Sequence, residues 1–191
     1  AKMAKGKLYV ISGPSGTGKG TICKRILEED PNIRFSVSMT TRQPREGETD
    51  GVDYHFVSKE KFQEILQEDG FLEYNCYVDN YYGTPAAPIL DWINKGNDVI
   101  LEIDYHGAFN TRKKYPEAVL VFILPPSEEK LRERIIGRGT ESEATIQKRL
   151  EEAKNDMAQA DKYDYRVVNE DLEIAVKEVQ QIMKEEKSKE A

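Results

Sequence analysis

The stretch "LYVISGPSGTGKGTICKRILEE", residues 8–29, decides the fold. An apolar run at 8–12 leads into a glycine-rich loop, and a charged segment with helical periodicity follows at 18–29. Gly13, four intervening residues and Gly18-Lys19 match the phosphate-loop pattern up to its last position. In such a loop, backbone N–H groups and a helix N-terminus converge on phosphate oxygens, and the lysine reaches the terminal phosphates. We therefore predict a site for a nucleoside triphosphate.

The loop departs from the pattern at Gly20, where a Ser or Thr usually offers its hydroxyl to Mg²⁺. Either Thr21 substitutes for that residue, or the metal depends on water and on acidic side chains. The loop also leaves the type of enzyme open, because kinases, GTPases and motor ATPases share it.

Strand-like apolar runs alternate with helix-like segments along most of the chain, which is typical of a parallel sheet flanked by helices. The predicted strands are 8–12, 34–38, 98–103, 118–124 and 165–168. The predicted helices are 18–29, 107–115, 127–137, 142–158 and 171–187. We expect an α/β domain with a parallel sheet core of the P-loop NTPase type.

Residues 38–88 break this alternation. Their sequence predicts turns, short aromatic strands at 53–57 and 71–78, and one helix at 58–69. They also contain five of the chain's ten tyrosines. Insertions of this kind between strands of an α/β core often carry a substrate site. Arg42 and Arg45, with Tyr54 close behind, predict a second anion site, because an Arg fork binds phosphate bidentately and a tyrosyl hydroxyl adds a donor.

The amino-acid composition limits the classes of partner and metal that we expect. The 28 basic and 35 acidic residues give a net charge of −7, which argues against a broad interface with nucleic acid or an acidic membrane. We expect neither a membrane span nor a signal peptide. Two separated cysteines and two histidines argue against a zinc site and fit a reducing, cytoplasmic setting.

Six further segments, taken with the loop, resemble the guanylate kinase family from about Lys7 to Glu186. They are "SVSMTTRQPREGETDGVDYHFVS" (36–58), "FLEYNCYVDNYYGT" (71–84), "LEIDYHGA" (101–108), "LPPS" (124–127), "RIIGRGTES" (134–142) and "YDYRVVNED" (163–171). The chain departs from the family at Tyr105-His106, where a smaller apolar residue and Gln are usual. It departs again at Ala87, where bacterial relatives often have a basic residue.

The resemblance implies an ATP:GMP phosphotransferase that gives ADP and GDP, also accepts dGMP, and uses Mg²⁺ with ATP. It implies one domain with a GMP-binding region at 38–88 and a lid at 134–158, the core being 7–37, 89–133 and 159–187. ATP and GMP or dGMP are then the partners, with no nucleic acid and no membrane. Whether the protein is a monomer or a dimer stays open.

The loop pattern and the resemblance together assign the site residues. Those assigned to ATP are Gly13, Pro14, Ser15, Gly16, Thr17, Gly18, Lys19, Gly20, Thr21 and Asn169, the last matching a residue near the adenine. Those assigned to GMP are Ser38, Arg42, Arg45, Tyr54, Glu73, Tyr82, Thr84, Glu102 and Asp104. Those assigned to catalysis are Lys19 and the matches to the lid arginines, Arg134, Arg138 and Arg149.

Two of these assignments have a chemical reason of their own. Glu102 and Asp104 end the strongest central strand, and ligands of open α/β sheets gather beyond the carboxyl ends of the strands. The resemblance places such acids near the phosphates and the metal, so we expect Asp104 to be a metal ligand. Guanine offers two adjacent N–H donors, which a carboxylate such as Glu73 accepts as a pair, whereas adenine offers an acceptor at N1.

Two alternatives remain at this stage. One is a non-catalytic, guanylate-kinase-like protein-binding module, although such modules often have degraded phosphate loops and Lys19 is intact. The other is a kinase for a different nucleotide such as AMP, against which Glu73 and Ser38 argue.

Overall fold

A computed structural model of the chain describes residues 4–137 and 142–189. Its strands are β1 Leu8–Ser12, β2 Arg34–Phe35, β3 Met39–Thr40, β4 His55–Phe56, β5 Phe71–Tyr77, β6 Asn80–Pro85, β7 Val99–Glu102, β8 Val119–Leu124 and β9 Tyr165–Val168. Its α-helices are α1 Lys19–Glu29, α2 Lys59–Gln67, α3 Ala86–Asn94, α4 Tyr105–Lys114, α5 Glu128–Ile136, α6 Glu143–Met157 and α7 Leu172–Ser188. A short 3₁₀-helix covers Ala160–Lys162.

Five strands form a parallel sheet in the order β2-β7-β1-β8-β9, and helices flank it. Every residue of β1 is buried, as are the first three of β7 and the first five of β8. Strands covered on both faces are expected to be continuously apolar, which is how these three read in the sequence. The predicted α/β fold class is therefore confirmed.

The second sheet has four strands in the order β4-β3-β6-β5, all within the region that interrupts the alternation. Strands β5 and β6 form an antiparallel hairpin in which Glu73 faces Thr84 and Tyr77 faces Asn80. Helix α2 contributes Phe62, whose ring stacks on that of Phe71 at 4.4 Å between centroids. This aromatic contact gives the hairpin and α2 a small core of their own.

The chain divides into two compact units. One contains the residues up to Tyr9, Asn32–Leu101 and His106–Ala118. The other contains Val10–Pro31, Glu102–Tyr105 and the chain from Val119 on. The first unit holds the four-stranded sheet, and the second holds the glycine-rich loop.

Helix starts agree closely with the predicted ones because four helices have side-chain caps. In each case a hydroxyl or carboxylate accepts a hydrogen bond from the backbone N–H three residues on, which satisfies a donor that the helix leaves open. The capping residues are Ser58, Ser127, Ser142 and Asp171.

Three expectations need correction. The strand predicted at 34–38 is assigned only to Arg34–Phe35. The predicted strand 71–78 ends at Tyr77, where Val78 and Asp79, at φ 47° and 63°, turn the chain into the unpredicted β6. Helix α3 was not predicted, and Pro88 lies in its first turn, where proline is tolerated because that turn needs no N–H donor.

No helix in the described parts of the chain is both long and apolar enough to cross a membrane.

Candidate active site

The glycine-rich loop connects β1 to α1 and is shaped by two close approaches. A Cβ on Gly13 would lie 2.5 Å from the backbone oxygen of Ile123 in β8, and backbone cannot move aside. Gly18 has φ 82° and caps α1, a conformation that side-chain-bearing residues rarely adopt. The two glycines of the pattern are therefore required by geometry, which supports the predicted loop.

Lys19 is the first residue of α1 and is partly exposed. Within the described structure, no side chain caps this helix and no acidic residue lies in its first turn. The N–H groups of that turn are consequently left for another acceptor, and the positive end of the helix is not neutralised locally. The lysine and the helix terminus together give this end of α1 a positive character that suits an anion.

Two side chains hold the loop from inside. The Thr17 hydroxyl is fully buried and donates to the Pro14 backbone oxygen at 2.9 Å. Asn169, which follows β9, donates from its side-chain amide to the Thr17 backbone oxygen at 2.7 Å. Both residues were assigned to ATP, and both make contacts with the loop itself.

Two of the three predicted lid arginines contact the loop. Arg134, in α5, donates from Nη1 to the Gly16 backbone oxygen at 3.2 Å, and Arg149, in α6, donates from Nη2 to the Ser15 hydroxyl at 3.1 Å. The apolar residues Leu131, Ile135 and Ala153 pack these two helices together. Arg138 lies outside the described residues.

The carboxylate of Glu102, the last residue of β7, lies beside the start of α1. A Cβ on Gly20 would be 3.5 Å from Glu102 Oε1, an ordinary van der Waals contact, so a side chain would fit there. The Cys23 thiol hydrogen-bonds the same carboxylate, and burial, reinforced by the negative charge of Glu102, raises the pKa of that thiol. Asp104 is exposed in the two-residue link between β7 and α4.

The predicted second anion site is built around Arg42. Its Nη1 and Nη2 donate to the two oxygens of Glu48 at 2.7 and 3.0 Å, and its guanidinium lies 5.1 Å from the ring centroid of Tyr54. Tyr82 also hydrogen-bonds Arg42. The Arg45 side chain is exposed, but its backbone N–H donates to Glu48 Oε1 at 2.7 Å. One carboxylate thus binds the Arg42 side chain and the backbone at Arg45.

Two of the three residues assigned to the guanine ring face each other across adjacent strands, and the third directly precedes β3. Thr84 faces Glu73 across the β5–β6 hairpin, and its hydroxyl donates to Glu73 Oε1 at 2.7 Å with both residues buried. Met39 of β3 faces Gly83 of β6 in antiparallel pairing. Ser38 is the residue before β3, next to the first residue of this pairing.

A sequence model described as guanylate kinase matches residues 5–186. A guanylate kinase from Clostridioides difficile (strain 630) is 52% identical over 185 residues, covering 97% of this chain and 90% of that protein. The chain belongs to the guanylate kinase family. It is an enzyme of this family, whose members use ATP to phosphorylate GMP.

A solved guanylate kinase structure agrees with this assignment, and a second solved structure shares the fold. The crystal structure of guanylate kinase from Anaplasma phagocytophilum superposes with a TM-score of 0.76 at 34% identity, covering 96% of this chain and 87% of that one. An uncharacterized protein from Eubacterium ventriosum matches with a TM-score of 0.53 at 13% identity over 95% and 99% of the two chains. The second similarity extends to the fold alone.

Glu48 belongs to the cluster around Arg42, and the sequence analysis does not identify it. It lies among charged residues in "PREGETD" (44–50), where a carboxylate ordinarily belongs to a solvated turn. The feature of the sequence that could have indicated this contact is the position of Glu48, six residues after Arg42 and three after Arg45.

The ion pair between Glu48 and Arg42 predicts how the Glu48 carboxyl titrates. Hydrogen bonds from Arg42 and from the Arg45 backbone hold the pKa of Glu48 at about 2. A lowered pKa means that the pair is fully formed above the ordinary carboxyl pKa of about 4.3 and is lost as the pH falls through about 2. Carboxyl NMR titration should find this value, and Arg42→Ala should raise it towards the ordinary range.

Glu173 supplies the control for this titration. Its pKa is also lowered, by a hydrogen bond from Arg25, which the Arg42 substitution leaves in place. The Glu173 titration should therefore be the same in both proteins. A Glu48 pKa near 4.3 in the parent protein would mean that the pair does not form in solution.

Proposed function

We propose that the protein transfers the γ-phosphate of ATP to GMP and to dGMP by in-line displacement, with Mg²⁺ bound to the nucleotide phosphates. The GMP-binding region is proposed to be 38–88 and the lid 134–158. A cytoplasmic location, expected from the cysteine usage, stays a prediction, and so do the absence of nucleic-acid and membrane partners and a monomeric or dimeric state.

One observation carries this proposal. Three cationic side chains meet at the glycine-rich loop: Lys19 at the start of α1, Arg134 on Gly16 and Arg149 on Ser15. A module that only binds proteins has no need for cations at an anion-binding loop, whereas phosphoryl transfer needs them to stabilise the charge that develops on the moving group.

The GMP assignment is supported from the other unit. Arg42, Tyr54 and Tyr82 form a compact cationic and hydroxylic cluster suited to a phosphate. Glu73, held by Thr84, offers a carboxylate to paired N–H donors. We propose that the first group binds the GMP phosphate together with Arg45, and that Glu73, Thr84 and Ser38 read the guanine.

The residues beside the loop fit a magnesium ion shared with the nucleotide. Among the described residues, no group of three or more His, Cys, Asp or Glu side chains could hold a metal alone. Mg²⁺ usually binds through one or two carboxylates, substrate phosphates and water, so a complete protein cage is not required. The space beside Gly20 is bordered by the Glu102 carboxylate. We propose that Asp104, with Glu102, would hold the ion, which when bound neutralises phosphate charge.

The chemistry needs no general base. An oxygen of the GMP phosphate is already an anionic nucleophile, and it forms the new bond to the γ-phosphorus as the bond from that phosphorus to the β–γ bridging oxygen breaks. The electron pair of the broken bond stays with ADP. Lys19 and the lid arginines then act by orienting the phosphates and by offsetting negative charge, which are the main contributions in this class of reaction.

A substrate panel tests the proposal. ADP release from ATP should be measured with GMP, dGMP, AMP, CMP and UMP as acceptors, with and without added Mg²⁺. We expect turnover with GMP and dGMP, little with the other three, and none without the metal. Equal rates with AMP and GMP would refute the guanine assignment.

Asp104→Asn is expected to raise the Mg²⁺ concentration needed for half-maximal activity. The loop has Gly20 where a hydroxyl usually meets the metal, so metal binding should depend more strongly on the neighbouring carboxylates. A magnesium titration of the GMP reaction measures the shift. Asp161→Asn, an exposed acidic residue elsewhere in the same unit, is the matched control. Superimposable curves for Asp104→Asn and the parent protein would make Asp104 a structural acid.

A further inference from the structure

Asn169 is a buried polar residue at the end of β9 whose side chain reaches the glycine-rich loop. It follows β9 directly and is 6% exposed. Its backbone N–H donates to the Leu124 oxygen at the end of β8 at 2.8 Å, which fixes the position of its Cα. Its side-chain amide donates to the Thr17 backbone oxygen at 2.7 Å. The residue therefore connects the ends of two strands with the inside of the loop.

The contact is tight on the loop side. A Cβ on Gly18 would lie 2.6 Å from Asn169 Nδ2, so the loop backbone passes directly against this amide. Thr17 is fully buried, and its hydroxyl is used by Pro14 within the loop. The Thr17 carbonyl thus accepts a hydrogen bond from Asn169, while the Thr17 hydroxyl donates to Pro14 within the loop.

We propose that Asn169 is a positioning residue for phosphate transfer, which sets the conformation of the phosphate loop through the Thr17 carbonyl, independently of the base of the triphosphate. Residues 17–19 join that carbonyl to Lys19, so a shift of Thr17 moves the lysine and the first N–H groups of α1. The inference rests on the proposed use of this loop for a triphosphate.

This role differs from contact with adenine, which the resemblance implies for the same residue. An amide that reads adenine would matter for ATP and much less for a triphosphate with a different base. An amide that holds Thr17 would matter equally for every ligand of the loop, including one that has no base. The two roles can therefore be separated by changing the ligand.

The test compares Asn169→Asp and Asn169→Ala with the parent protein. Aspartate keeps the size of the side chain, but when ionised it has no donor for the Thr17 carbonyl, and a buried carbonyl left without its donor costs enough to change a rate about 10-fold. Both variants should lower kcat/KM for ATP and for ITP by the same factor, about 10-fold or more. The KM for GMP should change by less than about 2-fold, which is small beside the expected tenfold loss in kcat/KM for ATP. Binding of inorganic tripolyphosphate, measured by calorimetry, should weaken in parallel.

Each other outcome has a definite meaning. A loss with ATP but not with ITP or tripolyphosphate would overturn the proposal in favour of adenine contact. A lower Tm with unchanged kcat/KM at temperatures below unfolding would make Asn169 merely structural. Glu170→Gln, at the neighbouring exposed position, should match the parent protein in every measurement.

Two further readouts keep the inference separate from the proposed function and from folding failure. If the parent protein fails to phosphorylate GMP, the proposed function is wrong, and the tripolyphosphate measurement still decides the role of Asn169. If neither variant folds, NMR of the parent protein should show slowed exchange of the Asn169 side-chain amide protons, whether or not ADP is bound. Fast exchange of those protons would refute the contact.

Discussion

Lys19→Ala should lower kcat for GMP phosphorylation by at least about 100-fold, because it removes a positive charge from the place where negative charge develops in the transition state. One such contact contributes roughly 3 kcal/mol, which corresponds to about two orders of magnitude in rate. The fold should be little affected, since Lys19 is partly exposed at the first position of α1 and alanine is at least as good a helix former as lysine.

Coupled ADP-release kinetics and thermal unfolding together check this expectation. Lys24→Ala removes an exposed lysine from the same helix and should leave both kcat and Tm near those of the parent protein. A Lys19→Ala protein that retained more than about a tenth of the parent rate would mean that the loop is structural, because the loss would then be below roughly 1.4 kcal/mol.

Glu73→Gln should reduce the preference for GMP over AMP by at least about 30-fold, the equivalent of roughly 2 kcal/mol. The Thr84 hydroxyl already donates to Glu73 Oε1. A glutamine that keeps its carbonyl towards Thr84 turns its NH₂ group towards the N–H donors of guanine, so both the charge-assisted pair and one acceptor are lost. Adenine has an acceptor at N1, so AMP should lose much less activity or even gain it.

Steady-state kinetics with GMP and AMP on both proteins decide this case. Glu60→Gln, an exposed glutamate on α2, controls for a change of charge in the same unit and should leave the GMP-to-AMP ratio unchanged. An unchanged ratio in Glu73→Gln would show that Glu73 does not contact the base. The guanine assignment would then rest on Ser38 and Thr84 alone.

Most of the parallel sheet could be predicted because its three central strands are almost continuously apolar and its helices carry their own start signals. Strands β1 and β9 were predicted to the residue, and the predicted helix at 18–29 differs from α1 by one residue. Ser127 and Ser142 mark helix starts by a local rule that needs no knowledge of the tertiary structure.

The second sheet was harder because its turns lack the usual residues. A two-residue hairpin turn with positive φ at both positions favours Asn and Gly, and here it is Val78-Asp79. A β-branched valine in that position reads as a continuing strand, which is why β6 was missed. Helix α3 was missed because of Pro88 in its first turn. A proline near the start of a helix is easily taken for a loop residue when only the sequence is known.

Within the candidate site, the loop glycines were predictable and the contacts between side chains were not. Gly13 and Gly18 follow from a spacing rule. Glu48 binds Arg42 because of how one irregular turn closes, and Asn169 reaches Thr17 across 152 residues of sequence. No periodic pattern in the sequence predicts either contact.

The carboxylate of Glu48 also affects the long-range electrostatic attraction between the protein and an approaching nucleotide. With a net charge of −7, the chain as a whole repels an anion, although salt screens that repulsion beyond about 8 Å at physiological ionic strength. In the proposed GMP site the positive charges of Arg42 and Arg45 are offset by the Glu48 and Glu73 carboxylates, which leaves no net positive charge for attraction at a distance. Electrostatic steering of GMP should therefore be weak, and its association rate should depend little on salt. We therefore expect the proposed site to select GMP through specific contacts more than through long-range attraction.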